Sequence, residues 1–214
     1  EELKKYLIEK RRINKNKIHT INHFSPFPKS NFEPNLKLES IFYAGNTGRP
    51  QNISTFINFF NEQFPQNWKF ELYGAGQEFE SLSKFSKDNI NINDYLPRED
   101  LEEKVKDIPY ALICLDYEIT IEGFPGKTFD YLNMNKILIN FSNPNSAVSK
   151  LIDKYELGFN IDLKKPEKLE TTLQQMKNLK KVNQILKNIS DFQQNISNKE
   201  IVSTKYSSLI RSSS

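Results

Sequence analysis

The densest set of chemistry-bearing residues lies in 121–141, IEGFPGKTFDYLNMNKILINF. Glu122 and Asp130 stand eight positions apart, Gly123 and Gly126 leave the backbone between them uncovered, and Lys127 follows at once. The stretch reads as a loop, a helix start, a short helix and a buried strand. Such a loop offers bare amides and a helix N-terminus to a phosphate, with a lysine for charge. The two carboxylates remain to accept hydrogen bonds from hydroxyls. A ligand with both phosphate and polyol groups, a nucleotide-sugar, would use all of them.

Glycine placement points the same way. Of seven glycines, six form the pairs Gly45/Gly48, Gly74/Gly76 and Gly123/Gly126, each just after an expected strand and before a helix. In a parallel sheet these turns share one rim, where ligands of such sheets bind. Glycine lets a ligand approach closely, although tight strand-to-helix turns call for it anyway. Arg49 follows the first pair and suits a phosphate through two parallel hydrogen bonds, or is a plain surface arginine. Lys127 and Asp130 are three apart and share a side of one helical turn. Asp130 suits two neighbouring ribose hydroxyls, or serves only the helix dipole. Gly74-x-Gly76 lacks the third glycine of the dinucleotide fingerprint, with Phe79 in its place, and the P-loop pattern is absent, so neither NAD nor FAD is expected.

These residues need a scaffold, and the hydropathy pattern supplies one. Strands are expected at SIFYAG, WKFELYGAG, 89–92, YALICL, ILINF and LGFNI, with helices at ISTFINFFNEQF, 77–86, 99–106, 126–134 and 145–155. This alternation implies a doubly wound parallel α/β sheet, Rossmann-like. Before it, residues 1–16 read as a helix, 17–24 as a short strand and the proline-rich 25–38 as a linker. After it, 167–192 read as one amphipathic helix with lysines opposite its apolar stripe, and 198–210 as a last helix. The domain division is 1–24, 25–38, 39–175 and 176–214.

The chain of 214 residues is 37% hydrophobic and 27% charged, with a net charge of +3. Its mean hydropathy is −0.64. A membrane span and a need for nucleic acid are both excluded as expectations. The lone cysteine, Cys114, sits in an apolar run and fits a reducing compartment. His19, His23, Trp68, Tyr73 and Tyr131 read as packing or surface residues.

The motifs resemble the C-terminal half of GT-B glycosyltransferases, specifically the retaining group numbered family 4. Glu122 fills the first position of that group's Glu-x7-Glu motif and Asp130 the second, a shortened departure. PGKTFDYLNMNKILI looks like the Pro-Ser-Lys-x-x-Glu-Tyr form of bacterial members that build polysaccharides. FYAGNTGRPQN is similar to their Gly-Asn-x-Gly-Arg/Lys loop, and KIHTINHF to the last strand of their N-terminal half. The likeness covers about 17–175.

The resemblance implies a UDP- or GDP-sugar donor and no metal or other cofactor. Glu122, Lys127 and Arg49 would be catalytic, the two cations holding the diphosphate as it departs. Gly45, Asn46, Gly48, Gly74, Gly76, Gly123, Phe124, Pro125, Gly126, Thr128 and Asp130 would line the donor site, with Tyr95 and Leu96 at the base. Asp116-x-Glu118, superficially like a metal motif, is discounted. The acceptor, a polysaccharide or lipid-linked saccharide, would come through an N-terminal domain represented here only by its last helix and strand. The chain alone is then expected to bind donor weakly and transfer nothing. A cytoplasmic location follows, with peripheral contact at the inner membrane face. The alternative is a non-catalytic nucleotide-sugar-binding subunit whose acceptor domain is a separate protein. A flavodoxin-like signalling module ranks behind, since this rim carries arginine and lysine.

Overall fold

The computed structural model describes residues 2–120 and 123–212. Six strands form one sheet: β1 (Ser40–Asn46), β2 (Lys69–Ala75), β3 (Ile90–Asp94), β4 (Tyr110–Cys114), β5 (Ile137–Phe141) and β6 (Gly158–Ile161). All neighbours run parallel in the order β3-β2-β1-β4-β5-β6. Parallel strands need crossovers that cover both faces, and β4 and β5 are accordingly buried at every residue. The direction of the strand order reverses between β1 and β4, and ligands of such sheets bind outside the carboxyl ends at that reversal.

The helices between strands are α2 (Ile53–Gln63), α3 (Phe79–Leu82), α4 (Arg98–Lys104), α5 (Lys127–Asn133) and α6 (Ala147–Tyr155), and α1 (Glu2–Glu9) precedes the sheet. Ile53, Phe56, Ile57 and Phe60 of α2 are buried at the expected three- and four-residue spacing, together with Phe59. The Phe56 ring meets Phe70 at 5.1 Å and Phe141 at 5.3 Å edge-on, so an aromatic cluster ties α2 to β2 and β5.

Lys136, which the sequence reading passed over, is 1% exposed. Its Nζ donates to the carbonyls of Val105, Lys106 and Ile108 at 2.7–2.8 Å, closing the turn that follows α4. Burial pulls its pKa down to about 7.

Three expectations about the ends of the chain are corrected. The first helix stops at Glu9 rather than reaching 16, because Arg12 takes a left-handed backbone (φ +54°) and Ile13 N–H folds back to the Leu7 carbonyl; a short 3₁₀ turn follows at Lys15–Lys17. The strand expected at 17–24 does not form. A strand needs a ladder partner, and this segment instead meets the C-terminal helices: Asn22 Nδ2 donates to the Ile196 carbonyl, and Ser197 Oγ to that of His23. The helix expected over 167–192 is two, α7 (Leu169–Lys177) and α8 (Leu179–Asn195). Asn178 leaves the helical region and its side chain accepts from the N–H groups of Lys180 and Lys181, capping α8.

The apolar stripe of α7 and α8 packs onto the sheet. Leu169, Leu173, Met176, Val182 and Ile189 join the core, and of the stripe only Leu179 is exposed. The last helix, α9 (Lys199–Ser212), buries Val202 and leaves Ile201, Tyr206 and Ile210 in solvent. Among the described residues no helix is long and apolar enough to cross a membrane.

Candidate functional site at the carboxyl rim of the sheet

Strand β1 pairs with β2 along its whole length, but with β4 only at Ile41 and Phe42. The two strands therefore part toward their carboxyl ends and leave a crevice at the reversal point. Two side chains of α5, Lys127 and Tyr131, enter it from one helix face. The Tyr131 hydroxyl accepts from Ala44 N–H at 2.8 Å and donates to the Ala44 carbonyl at 3.0 Å, replacing the ladder bonds that β4 no longer makes. Burial raises the Tyr131 pKa, so the phenol stays protonated and can do both.

Lys127 reaches across the end of β1. Its Nζ lies 3.8 Å from the centre of the Tyr43 ring and donates to the Tyr43 hydroxyl at 2.5 Å, while that hydroxyl donates to the Asn46 carbonyl. Gly45 makes room for it: φ is +127°, and a Cβ there would sit 3.0 Å from Lys127 Nζ. The lysine is half-buried as a residue, yet its ammonium is enclosed, and burial pulls its pKa down to about 7. The same burial raises Tyr43 and Cys114.

Arg49 opens a short 3₁₀ turn directly after Gly48 and is exposed. The turn is tied to the other side of the crevice, since Asp116 N–H, just past β4, donates to the Pro50 carbonyl at 2.8 Å. Asp116 also accepts from Asn52 Nδ2 and Glu118 N–H, so its carboxylate holds the loop. Thus Arg49, in the turn after β1, and Lys127, over the end of β1, both belong to the carboxyl rim.

The glycine pairs divide into two kinds. A side chain at Gly74 would meet the Gly45 carbonyl, and one at Gly76, whose φ is +128°, would run into Asn46 Oδ1. These glycines and Asn46 pack the ends of β1 and β2 together, and Gly48 is buried beside Gln51, whose Oε1 accepts its N–H. A Cβ at Gly123 or Gly126, by contrast, would meet nothing within 4 Å among the described residues. Phe124 is 38% exposed and packs edge-on against Phe129, which in turn meets His23 at 4.8 Å. Pro125 accepts from Thr128 N–H; Thr128 is fully buried, and its Oγ1 has no partner among the described residues. Tyr95, 60% exposed, and the half-buried Leu96 follow β3 on the same rim, farther out along the sheet. Glu122 lies outside the described residues.

Lys127 and Asp130, expected on one side of the helix, face different neighbours. Lys127 turns to β1, whereas Asp130 Oδ1 accepts from Ser25 Oγ at 2.6 Å. Sequence reasoning missed Ser25, Tyr43 and the bonding role of Tyr131. Ser25 is 105 residues from its partner, and nothing local marks the pair. Tyr43 was open to inference, because it lies two positions before Gly45 and so shares its side of the strand.

Solved structures share this architecture. A mutant of TarM from S. aureus, in complex with fondaparinux, alpha-GlcNAc-glycerol and UDP, matches with a TM-score of 0.68 at 14% identity, over 93% of this chain and 40% of that one. WaaG, a glycosyltransferase involved in lipopolysaccharide biosynthesis, matches at 0.63 and 10% identity, over 86% of this chain and 54% of its own. The C-terminal domain of the group 1 glycosyltransferase LpcC from Francisella tularensis matches at 0.54 and 13% identity, over 81% and 94%. The chain shares its parallel α/β fold with a part of these glycosyltransferase structures. At these identities the likeness is one of fold, and the chain spans about half or less of TarM and WaaG. No family model matches the sequence, and no curated protein does.

Proposed function

We propose that this chain is the nucleotide-sugar-binding domain of a glycosyltransferase. In this reading it holds a UDP- or GDP-sugar at the carboxyl rim of the sheet. The sugar then passes, with retention of configuration, to a saccharide or lipid-linked acceptor held by a domain outside this chain. The observation that carries the reading is the placement of the Lys127 ammonium over Gly45, in the crevice where β1 and β4 part. Arg49 stands in the turn after the same strand, and a Cβ at Gly123 or Gly126 would meet nothing among the described residues, which supports room for a ligand. The UDP present in the TarM complex supports the choice of ligand class.

The roles follow from charge. Departure of a nucleoside diphosphate develops negative charge on its phosphate oxygens, and fixed cations lower that barrier. Arg49 and Lys127 supply them. The free oxygen of Asp130 takes the ribose, its partner oxygen being held by Ser25. Glu122 takes the donor sugar, and the loop of Tyr95 and Leu96 takes the base.

Calorimetric titration with UDP and then GDP tests the assignment. The expected result is saturable binding of one nucleotide, weakened by about 1–3 kcal/mol in Lys127→Ala, the range for a charge-assisted hydrogen bond. Binding of neither at millimolar concentration, or binding unaffected by Lys127→Ala and Arg49→Ala, refutes it.

A further inference from the structure

Residues 25–29 and the junction of α8 with α9 enclose a cleft of about 490 Å³, within the roughly 300–1,000 Å³ of small-molecule sites. Its wall includes Ser25, Phe27, Asn133, Gln193, Gln194 and Ser197, a set of amides and hydroxyls around one aromatic ring. The Phe27 ring is 41% exposed, and the Arg98 guanidinium stacks on it at 4.7 Å. Asn133 Nδ2 donates to the Phe27 carbonyl and fixes the segment that carries the ring. Gln193 is 8% exposed; its Nε2 donates to the Leu132 carbonyl, while its Oε1 has no partner among the described residues. The Gln194 side chain is exposed and makes no hydrogen bond within the described residues. Lys29 and Lys199 complete the wall with positive charge.

We propose that this cleft is a saccharide subsite that holds one pyranose ring. The chemistry matches on both counts. The apolar face of a pyranose lies on an aromatic ring, and its hydroxyls, each both donor and acceptor, suit side-chain amides that also do both. The two lysines favour a sugar that bears a carboxylate. The subsite is separate from the nucleotide crevice, although Ser25 lines the cleft and also holds Asp130. Its test needs no nucleotide, so it stands or falls apart from the donor assignment.

The experiment is an amide chemical-shift titration with methyl β-glucoside, methyl β-N-acetylglucosaminide and methyl β-glucuronide, each taken to millimolar concentration. Saturable shifts centred on Phe27, Asn133 and Gln194 are expected, largest in affinity for the glucuronide. Phe27→Ala should weaken binding about fivefold, the scale of an aromatic stacking contact. Gln194→Ala, which removes a side chain with no bond to lose within the described residues, should weaken it while leaving the dispersion of the spectrum intact. If none of the glycosides gives saturable shifts, or if both variants bind as the parent does, the cleft is not a saccharide site.

Discussion

Lys127 carries the most consequence of any single residue. Its ammonium lies over the end of β1 at Gly45, and it is poised between charged and neutral at pH about 7. A bound diphosphate favours the charged form. Binding above that pH must then take up a proton, and nucleotide affinity should fall as pH rises from about 7 to about 9, by up to about tenfold per unit. Calorimetry in buffers of different ionisation enthalpy measures the proton uptake directly. The Lys127→Ala protein should bind weakly with no such uptake; an unchanged pH profile would separate the nucleotide from this lysine. Legibility differed sharply among residues. Lys127 and Arg49 stood out because a cation beside glycine after a strand is unusual. The engagement of Asp130 by Ser25 could not be read, because hydrogen bonds between remote segments leave no local pattern.

At the level of elements, α5 does more than present a helix terminus. It substitutes for a strand, and Tyr131 is the means. Removing its hydroxyl leaves Ala44 N–H and C=O without their partner in a half-buried place. Tyr131→Phe should therefore cost about 2–6 kcal/mol in urea unfolding, from roughly 1–3 kcal/mol for each of the two unsatisfied groups. It should also weaken nucleotide binding, because Lys127 rides one turn away on the same face. A stability loss below about 0.5 kcal/mol would mean that water replaces the hydroxyl without penalty. The strand and helix order around α5 was readable from hydropathy alone. What misled was the ends: the stripe from 167 to 192 keeps helical spacing through Asn178, and only the capping geometry shows that the backbone breaks there.

Across the whole molecule, two enclosed lysines shape the response to pH. Lys127 and Lys136 are both pulled to about 7 by burial, against 10.5 for an exposed lysine. Between these values the unfolded chain binds more protons than the native one, so stability rises with pH across that window and is lower toward pH 7. Urea unfolding followed from pH 7 upward should show this rise. Lys136→Met should flatten the slope, whatever it does to absolute stability, because the titrating group is gone. A slope identical in the variant would mean that its three carbonyl acceptors keep Lys136 charged in the native state.

By itself the sequence determined the parallel α/β architecture, the order of its elements, and which loops crowd the carboxyl rim. Hydropathy period and glycine position are local properties, and the right-handed crossover leaves few ways to assemble them. Tertiary structure decided the rest. It showed that Gly74 and Gly76 serve the packing of two strand ends whereas a Cβ at Gly123 or Gly126 would meet nothing among the described residues, and that Lys127 and Asp130 part company across α5. It also folded the C-terminal stripe onto the sheet and closed a polar cleft between residues 25–29 and α8. Each of these depends on contacts between segments far apart in the chain, and such contacts are chosen by burial and shape rather than by any neighbouring residue.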